Sequence, residues 1–353
     1  MDFPYTKKEV SRAGDCIRDH GDGRLSDELS HALDVLGAWR SSHIHPLQAS
    51  FMTLGTRARK LDPSALVSQR LKRIPSVMVK LKRQPGMQLA RMQDIGGCRA
   101  VVKNVLTAYQ LAQKFQCDLT NYIDRPKPDG YRGIHLISKY HPKIMKHENL
   151  AGRLIEVQIR TNAQHAWATA VETVDSLLHQ NIKTGGGDLK WRRFFALASS
   201  VIALKEKTPT VPDTPNTLSE LTEEIRVLDA ELRIRQKLEG LSSSVERISK
   251  AKIPGEVAYV LRLDLDEKMI NKTPFTKDQL EAALDFYMQL EKLYFNDPSQ
   301  QVVLVMVSKL KDLKKAYPNY YLNVGRFLFL MEGVWNEPKR KIRQRDEKSS
   351  EPR

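Results

Sequence analysis

Glu156, Gln158 and Arg160 occupy every second position of a short run, alternating with Ile155, Val157 and Ile159. A period of two belongs to a β-strand, so one face is apolar and the other presents an acid, an amide and a guanidinium. A carboxylate held on a rigid strand beside a cation is a positioned base, and His165, in the helix that follows, joins it as a candidate. The plain alternative is a solvated strand face.

Three groups upstream bear on that choice. Arg70 and Lys72 lie on one face of a short strand, and Pro75-Ser76 opens a helix with Ser76 as N-cap and Lys80 one turn on. Free amides at a helix N-terminus beside several cations can hold a polyphosphate; a basic solvated helix is the alternative. The Walker pattern GxxxxGK[ST] is absent. Asp94 precedes Gly96, Gly97 and Arg99 at the mouth of an apolar strand, where an acid can ligate magnesium and Arg99 can stack on a base or grip phosphate. Asp94 as a simple turn cap is the alternative. Arg125, Lys127, Tyr131, Arg132 and His135 fall in a Pro/Gly loop that enters a strand. Tyr131 there can stack on a nucleobase while Arg132 or His135 touches phosphate or ribose; otherwise Tyr131 is a core residue. His43 and His45 lack an acid or cysteine at ligand spacing and read as a corner between helices.

These groups need elements to hold them. Residues 1–62 show helical spacing, 67–72 a strand, 76–83 a helix, and 98–102, 134–136 and 155–159 strands, giving an α/β (α+β) class with a mixed sheet flanked by helices. Residues 184–188 are a glycine-rich break, 189–204 an amphipathic basic helix, 207–216 a Pro/Thr linker and 219–250 a long connecting helix or helical pair with a cap at Ser219. A change of character at 256 marks a small second α/β unit: strands at 257–266 and 302–307, and a helix over 276–294. The expected domains are 1–204, a connecting segment 205–250, a C-terminal unit 251–336 and a charged disordered tail 337–353.

The 353 residues carry a net charge of +15, which points to a polyanionic partner such as nucleic acid, nucleotides or an anionic surface, with a solvated basic surface that binds nothing specific as the alternative. No apolar run approaches a membrane span and the N-terminus lacks a signal-peptide core, so a cytoplasmic protein is expected. Three scattered cysteines argue against a disulfide framework and a structural zinc site.

Taken together the motifs resemble the synthetase domain of the RelA/SpoT family. They are R-x-K-x-x-x-S-x-x-x-K from Arg70 to Lys80, D-I-x-G-x-R from Asp94 to Arg99, K-x-x-GY-x-x-x-H from Lys127 to His135, and EVQIRT from Glu156 to Thr161. The resemblance covers about residues 25–200 and implies transfer of the β,γ-pyrophosphate of ATP to a ribose 3'-hydroxyl. It assigns Arg70 and Arg99 to adenine, Lys72, Ser76 and Lys80 to phosphates, and Asp94 to Mg2+. It gives Glu156 to the metal or to base duty, with Gln158, Arg160 and His165 in support and Tyr131 on the acceptor base. Lys127, His135 and Arg125 complete the acceptor side. A His-Asp hydrolase domain, which long members carry upstream, is not expected here.

The appended C-terminal unit is similar to that of the fused toxin–antitoxin proteins called CapRel. Tyr317-Pro-Asn-Tyr320 matches their Y-x-x-Y motif, which covers the ATP site, in a zinc-finger-like unit without metal. That resemblance implies the tRNA acceptor end as substrate, arrest of translation, and release by a phage protein, typically the major capsid protein. Lys7, Lys8, Arg125, Arg153 and the 190–193 cations are candidates for tRNA contact. An ordinary alarmone synthetase using GDP, GTP or ATP shares every catalytic residue.

Overall fold

The computed structural model describes residues 3–19, 26–142, 144–178, 188–242, 254–267, 269–295, 297, 299–307 and 324–336. Helices α1 (Lys7–Asp19), α2 (Asp27–Ser41) and α3 (Ile44–Leu61) stand where helical spacing predicts them. Ser26 starts α2 by accepting a hydrogen bond from the Leu29 amide. In the corner before α3, His43 donates to the Trp39 carbonyl, and burial pushes its pKa down to about 4. It is a neutral corner residue. Next come α4 (Ile74–Arg83), α5 (Val105–Ala112), α6 (Asn162–Leu178), α7 (Leu189–Glu206), α8 (Leu218–Leu232) and α9 (Ile234–Ser242). Helices α10 (Leu280–Leu293) and α11 (Gly325–Asn336) complete the set among the described residues.

Strands β1 (Leu66–Leu71), β2 (Gly96–Val102), β3 (Asp118–Asn121), β4 (Ile134–Lys139), β5 (Leu154–Thr161), β6 (Glu256–Asp264), β7 (Met269–Thr276) and β8 (Gln300–Val307) form one sheet. Their order is β3-β4-β5-β2-β1-β8-β6-β7, and only the β2–β5 pair is parallel. This is the expected mixed sheet flanked by helices. Helices α3, α5 and α10 bury one face, where Ile155, Val157 and Ile159 meet Leu47, Phe51 and Leu54. The alternation along β5 therefore leaves Glu156, Gln158 and Arg160 on the opposite face.

The second half departs from expectation in five places. Residues 256–307 do not build a core of their own: β8 pairs with β1 (Gln69↔Met306, Arg70↔Val305), and Val260, Leu304 and Tyr287 join the same core as Val67 and Cys98. Composition marks a change of segment, and an unpaired β1 edge turns that change into sheet extension. The Pro/Thr run after α7 is pinned down: Val211 is buried, its amide donates to Ser200 Oγ at 2.9 Å, and Thr214 shares a hydrogen bond with the same hydroxyl. Helix α8 is capped by Thr217 rather than Ser219, while a left-handed Arg233 divides the stretch into α8 and α9, the helical pair that was one of the two expected forms. Helix α7 is buried on every side from Phe194 to Ala203 rather than amphipathic, and Phe194 and Phe195 share a core with Phe327 and Met331 of α11. Residues 269–276 form the edge strand β7, so the helix expected from 276 begins at Leu280. Tyr317, Tyr320 and the tail 337–353 lie outside the described residues.

Candidate active site

The polar face of the sheet is assembled by register. One row across the strands reads Arg70, Gly97, Glu156, Ile137, and the next reads Ser68, Arg99, Gln158, His135. Gly97 contributes no side chain between Arg70 and Glu156. A Cβ there would meet only Glu156 atoms at 3.9–4.0 Å, so the glycine leaves an open floor beside the carboxylate rather than relieving a clash.

Five side chains then close a ring of hydrogen bonds. Arg160 Nη2 donates to Gln158 Oε1 at 3.0 Å, and Gln158 Nε2 donates to Glu156 Oε2 at 2.8 Å. On the other arm Arg160 Nε donates to the Tyr131 hydroxyl at 3.3 Å, Tyr131 bonds His135 Nε2, and His135 Nδ1 lies 2.9 Å from Glu156 Oε1. One assignment satisfies every link: the His135 proton on Nδ1, and the Tyr131 hydroxyl donating to Nε2. Both arms thus begin at the guanidinium of Arg160 and end on the carboxylate of Glu156. Burial would raise the pKa of Glu156, but the hydrogen bond and charge of His135, helped by Gln158, bring it below its ordinary value. An ionised, doubly held carboxylate results. Tyr131 packs its ring against Tyr122 and His135, and Lys127 Nζ lies 4.4 Å from the Tyr122 ring centre and 5.3 Å from that of Tyr131.

A second cluster sits at the end of β1. The Lys72 amide donates to the Ile95 carbonyl at 2.8 Å, which carries the antiparallel ladder past the strand and sets Lys72 beside Asp94. Lys72 Nζ and Lys80 Nζ each reach one Asp94 oxygen at 2.8 Å. Burial works to raise the Asp94 pKa, yet the two ammonium groups outweigh it and hold the carboxyl at about 2. The three side chains are 19–26% exposed, so solvent screens them less than a surface pair. A carboxylate with a depressed folded-state pKa stabilises above its unfolded value near 3.8, and that contribution is lost as pH falls through about 2. Wild type should therefore exceed Asp94→Asn by about 2 kcal/mol at pH 6, with the difference shrinking steadily toward pH 2. Urea unfolding of both proteins at pH 6, 4, 3 and 2 checks this, and a pH-independent gap would refute it.

Other expected residues are placed differently. Ser76 is not an N-cap: Arg73 holds that position, and Pro75, whose fixed φ suits a first turn, puts Ser76 inside α4. The start of α4 is not open to anions either, because Glu291 of α10 accepts from the Ile74 amide. Arg99 and Arg70 lie on the site face by register. His165 is buried in α6 outside the ring, and Arg125 is exposed at the loop. Arg132 turns away from the ring to an ion pair with Glu206 at 2.9 Å. Of the candidate tRNA contacts, Arg153 is buried between Phe3 and Trp39 and donates to Ser42, while Arg193 is paired with Glu224. Lys7 and Lys8 are exposed.

Two partners were not anticipated. Tyr122 completes the aromatic wall, and Glu206 gathers Arg132, Thr161 and Gln164 beneath the ring. Thr161 and Gln164 also exchange bonds with each other's backbone amides, the reciprocal cap that starts α6 directly after β5. The T-x-x-Q spacing was the available signal for that cap; nothing local marks Glu206.

Residues 69–175 match the family described as "Region found in RelA / SpoT proteins". The chain is similar to GTP pyrophosphokinase YjbM of Bacillus subtilis, 31% identical over 132 residues, which are 34% of this chain and 61% of that protein. It is 29% identical over 188 residues to the uncharacterized protein Rv1366 of Mycobacterium tuberculosis, covering 51% of this chain and 62% of that one. The chain thus spans about three fifths of the length of these relatives. Among solved structures, small alarmone synthetase 1 from Bacillus subtilis bound to its product pppGpp aligns with a TM-score of 0.37 and 20% identity, over 56% of this chain and 97% of that one.

Proposed function

We propose that this chain, which carries a RelA/SpoT region over residues 69–175, is an ATP-dependent pyrophosphokinase acting on a ribose 3'-hydroxyl. The observation that carries the reading is the hydrogen-bonded ring ending on Glu156 beside the lysine-held Asp94. The acceptor oxygen attacks the β-phosphorus of ATP, AMP leaves, and the hydroxyl proton passes to Glu156 or water. Such transfers need aligned charge more than a covalent nucleophile.

Asp94 and Glu156 suit Mg2+. They offer oxygen donors near enough that the Asp94 charge raises the Glu156 pKa, and Mg2+ takes one or two carboxylates alongside phosphates and water. Among the described residues no group of three or more His, Cys, Asp or Glu is arranged to hold a metal ion, so substrate phosphates and water would have to complete the coordination. When bound, the ion would neutralise charge on the phosphates. Lys72 and Lys80, released from Asp94, would then face phosphate oxygens, and Arg70 and Arg99 would flank adenine. Tyr131 would take the acceptor base, with Lys127 and His135 beside it.

The finer proposal is that the acceptor is the 3'-terminal adenosine of tRNA. A net charge of +15 with exposed Lys7, Lys8 and Arg125 supports a polyanionic acceptor. In the same proposal Tyr317 and Tyr320 cover the ATP site until a phage protein, such as the major capsid protein, binds, making the chain a self-inhibited toxin of anti-phage defence. A second reading, a GDP or GTP pyrophosphokinase, draws support from the name of the relative YjbM.

The test uses the whole chain and γ-32P-ATP with deacylated tRNA, GDP or GTP in separate reactions, alongside Glu156→Gln and a Tyr317→Ala/Tyr320→Ala variant. Label on tRNA, strengthened by the tyrosine changes, is the expected result. Label on GDP or GTP alone replaces it with the second reading, and no transfer to any acceptor by any variant sinks both.

A further inference from the structure

We propose that Glu291, far outside the RelA/SpoT region, is a positioning residue that sets the donor-binding helix α4 against the sheet. The inference rests on the pyrophosphokinase reading above. Helix α4 has an uncapped start: Arg73 occupies the N-cap and makes no side-chain bond to the helix. The missing acceptor comes from α10, where Glu291 Oε1 takes the Ile74 amide at 3.0 Å. Its other oxygen forms an ion pair with Arg40 of α2 at 2.7 Å. Arg40 in turn donates to the Tyr287 hydroxyl at 2.8 Å and lies over that ring. Arg40 and Glu291 are almost fully buried. Arg73, at the same joint, donates to Gln301 of β8 at 3.2 Å.

The joint therefore fixes the entry of a helix whose Lys80 must reach Asp94 about two turns later. Buried charge is costly unless paired, so a buried carboxylate at this spot needs both Arg40 and the amide. The amide in turn belongs to a helix that carries two of the residues assigned to ATP. Phosphate binding and α4 placement are coupled through this contact. An ion pair that served folding alone could be replaced by apolar side chains of similar volume without effect on ATP.

That contrast designs the experiment. Arg40→Met/Glu291→Met removes both charges, keeps volume and leaves the Ile74 amide without its acceptor. Glu291→Gln keeps an acceptor for that amide. Thermal unfolding, binding of a non-hydrolysable ATP analogue, and steady-state kinetics are measured on the full chain. The double variant is expected to unfold cooperatively near the wild-type temperature, yet bind the analogue about tenfold more weakly, the scale of a lost helix cap. Its KM for ATP should rise while KM for the acceptor stays put, and Glu291→Gln should recover most of the ATP affinity. Equal analogue binding by wild type and double variant overturns the proposal. So does a fall in kcat with both KM values unchanged, which marks lost folded enzyme. If the double variant does not fold, Glu291→Gln decides: it must bind more weakly than wild type by less than threefold, and full loss there counts against the cap. Wild type that binds no ATP analogue fails the pyrophosphokinase reading itself, a result distinct from any difference among variants.

Discussion

Glu156→Gln should lower pyrophosphate transfer by about three orders of magnitude while leaving the chain folded. Both hydrogen-bonded arms that leave Arg160 arrive at Glu156 as donors, one through Gln158 Nε2 and one through His135 Nδ1. A carboxylate accepts both. A glutamine amide accepts one and turns a second donor toward the other, so one arm ends on a clash of like groups. The stability loss is that of one unsatisfied buried group, about 1–3 kcal/mol, and melting curves should remain cooperative. The chemical loss is larger, because the site also forfeits its negative charge and any proton acceptance. The pKa of Glu156 is depressed, so the wild-type carboxylate is ionised at and above the ordinary carboxylate range and its contribution falls only as pH drops through the folded value. The acid limb of the wild-type pH–rate profile should therefore vanish from the residual activity of the variant. Transfer within threefold of wild type, measured with γ-32P-ATP on the preferred acceptor, would remove Glu156 from the chemistry and with it the ring's significance.

The ring was partly legible in the sequence. Alternation along 155–160 put Glu156, Gln158 and Arg160 on one face, and β5 shows it, with Ile155, Val157 and Ile159 buried opposite. The partner His135 was named, but its bond to Glu156 depends on the β4–β5 register, and the β5–β2 pairing that sets Glu156 beside Gly97 is parallel. Register is a tertiary fact with no local signature. The same holds for Asp94, whose two lysines are neighbours only because the β1 ladder runs on to Ile95. Ser76 has the chemistry of a cap, but the acceptor that meets the first amide of α4 is Glu291, 217 positions from Ile74. Arg153 was read as a surface cation, since a buried guanidinium stacked on Trp39 and Phe3 has the same letter as an exposed one. In the second half, Pro and Thr at 207–216 read as a linker, and only the hydroxyl of Ser200, buried in α7, shows why the segment is held.

A chain cut after residue 250 should fail to give a soluble, cooperatively folded protein, even though composition changes there. The cut strips β8 from β1, leaving the backbone groups that β1 turns toward β8 along Ser68–Arg70 as an unpaired edge, in the strand that carries Arg70, proposed above to bind ATP. It also opens both cores. From the sheet core it removes Val260, Tyr287, Leu304 and Met306; from the helical core it removes Val324, Phe327, Met331 and Val334. Phe194 and Phe195 lose the Phe327 ring that lies 6.2 and 6.0 Å from theirs. At roughly 1.5–3 kcal/mol for each large buried apolar side chain, the four from α11 and its entry alone represent about 6–12 kcal/mol of burial. Whole domains of this kind are stable by only about 5–15 kcal/mol, so the loss is of the same size as the total. Helix α4 would lose its Glu291 cap in the same step. Inhibition by residues 251–353 is therefore to be probed by point substitution in the full chain, since a truncation that shows no transfer reports unfolding. Circular dichroism and gel filtration of the truncated chain decide the matter. A soluble monodisperse product with a sharp melt and measurable transfer would mean that residues 1–250 fold alone and that β8 is a removable strand laid on a finished sheet.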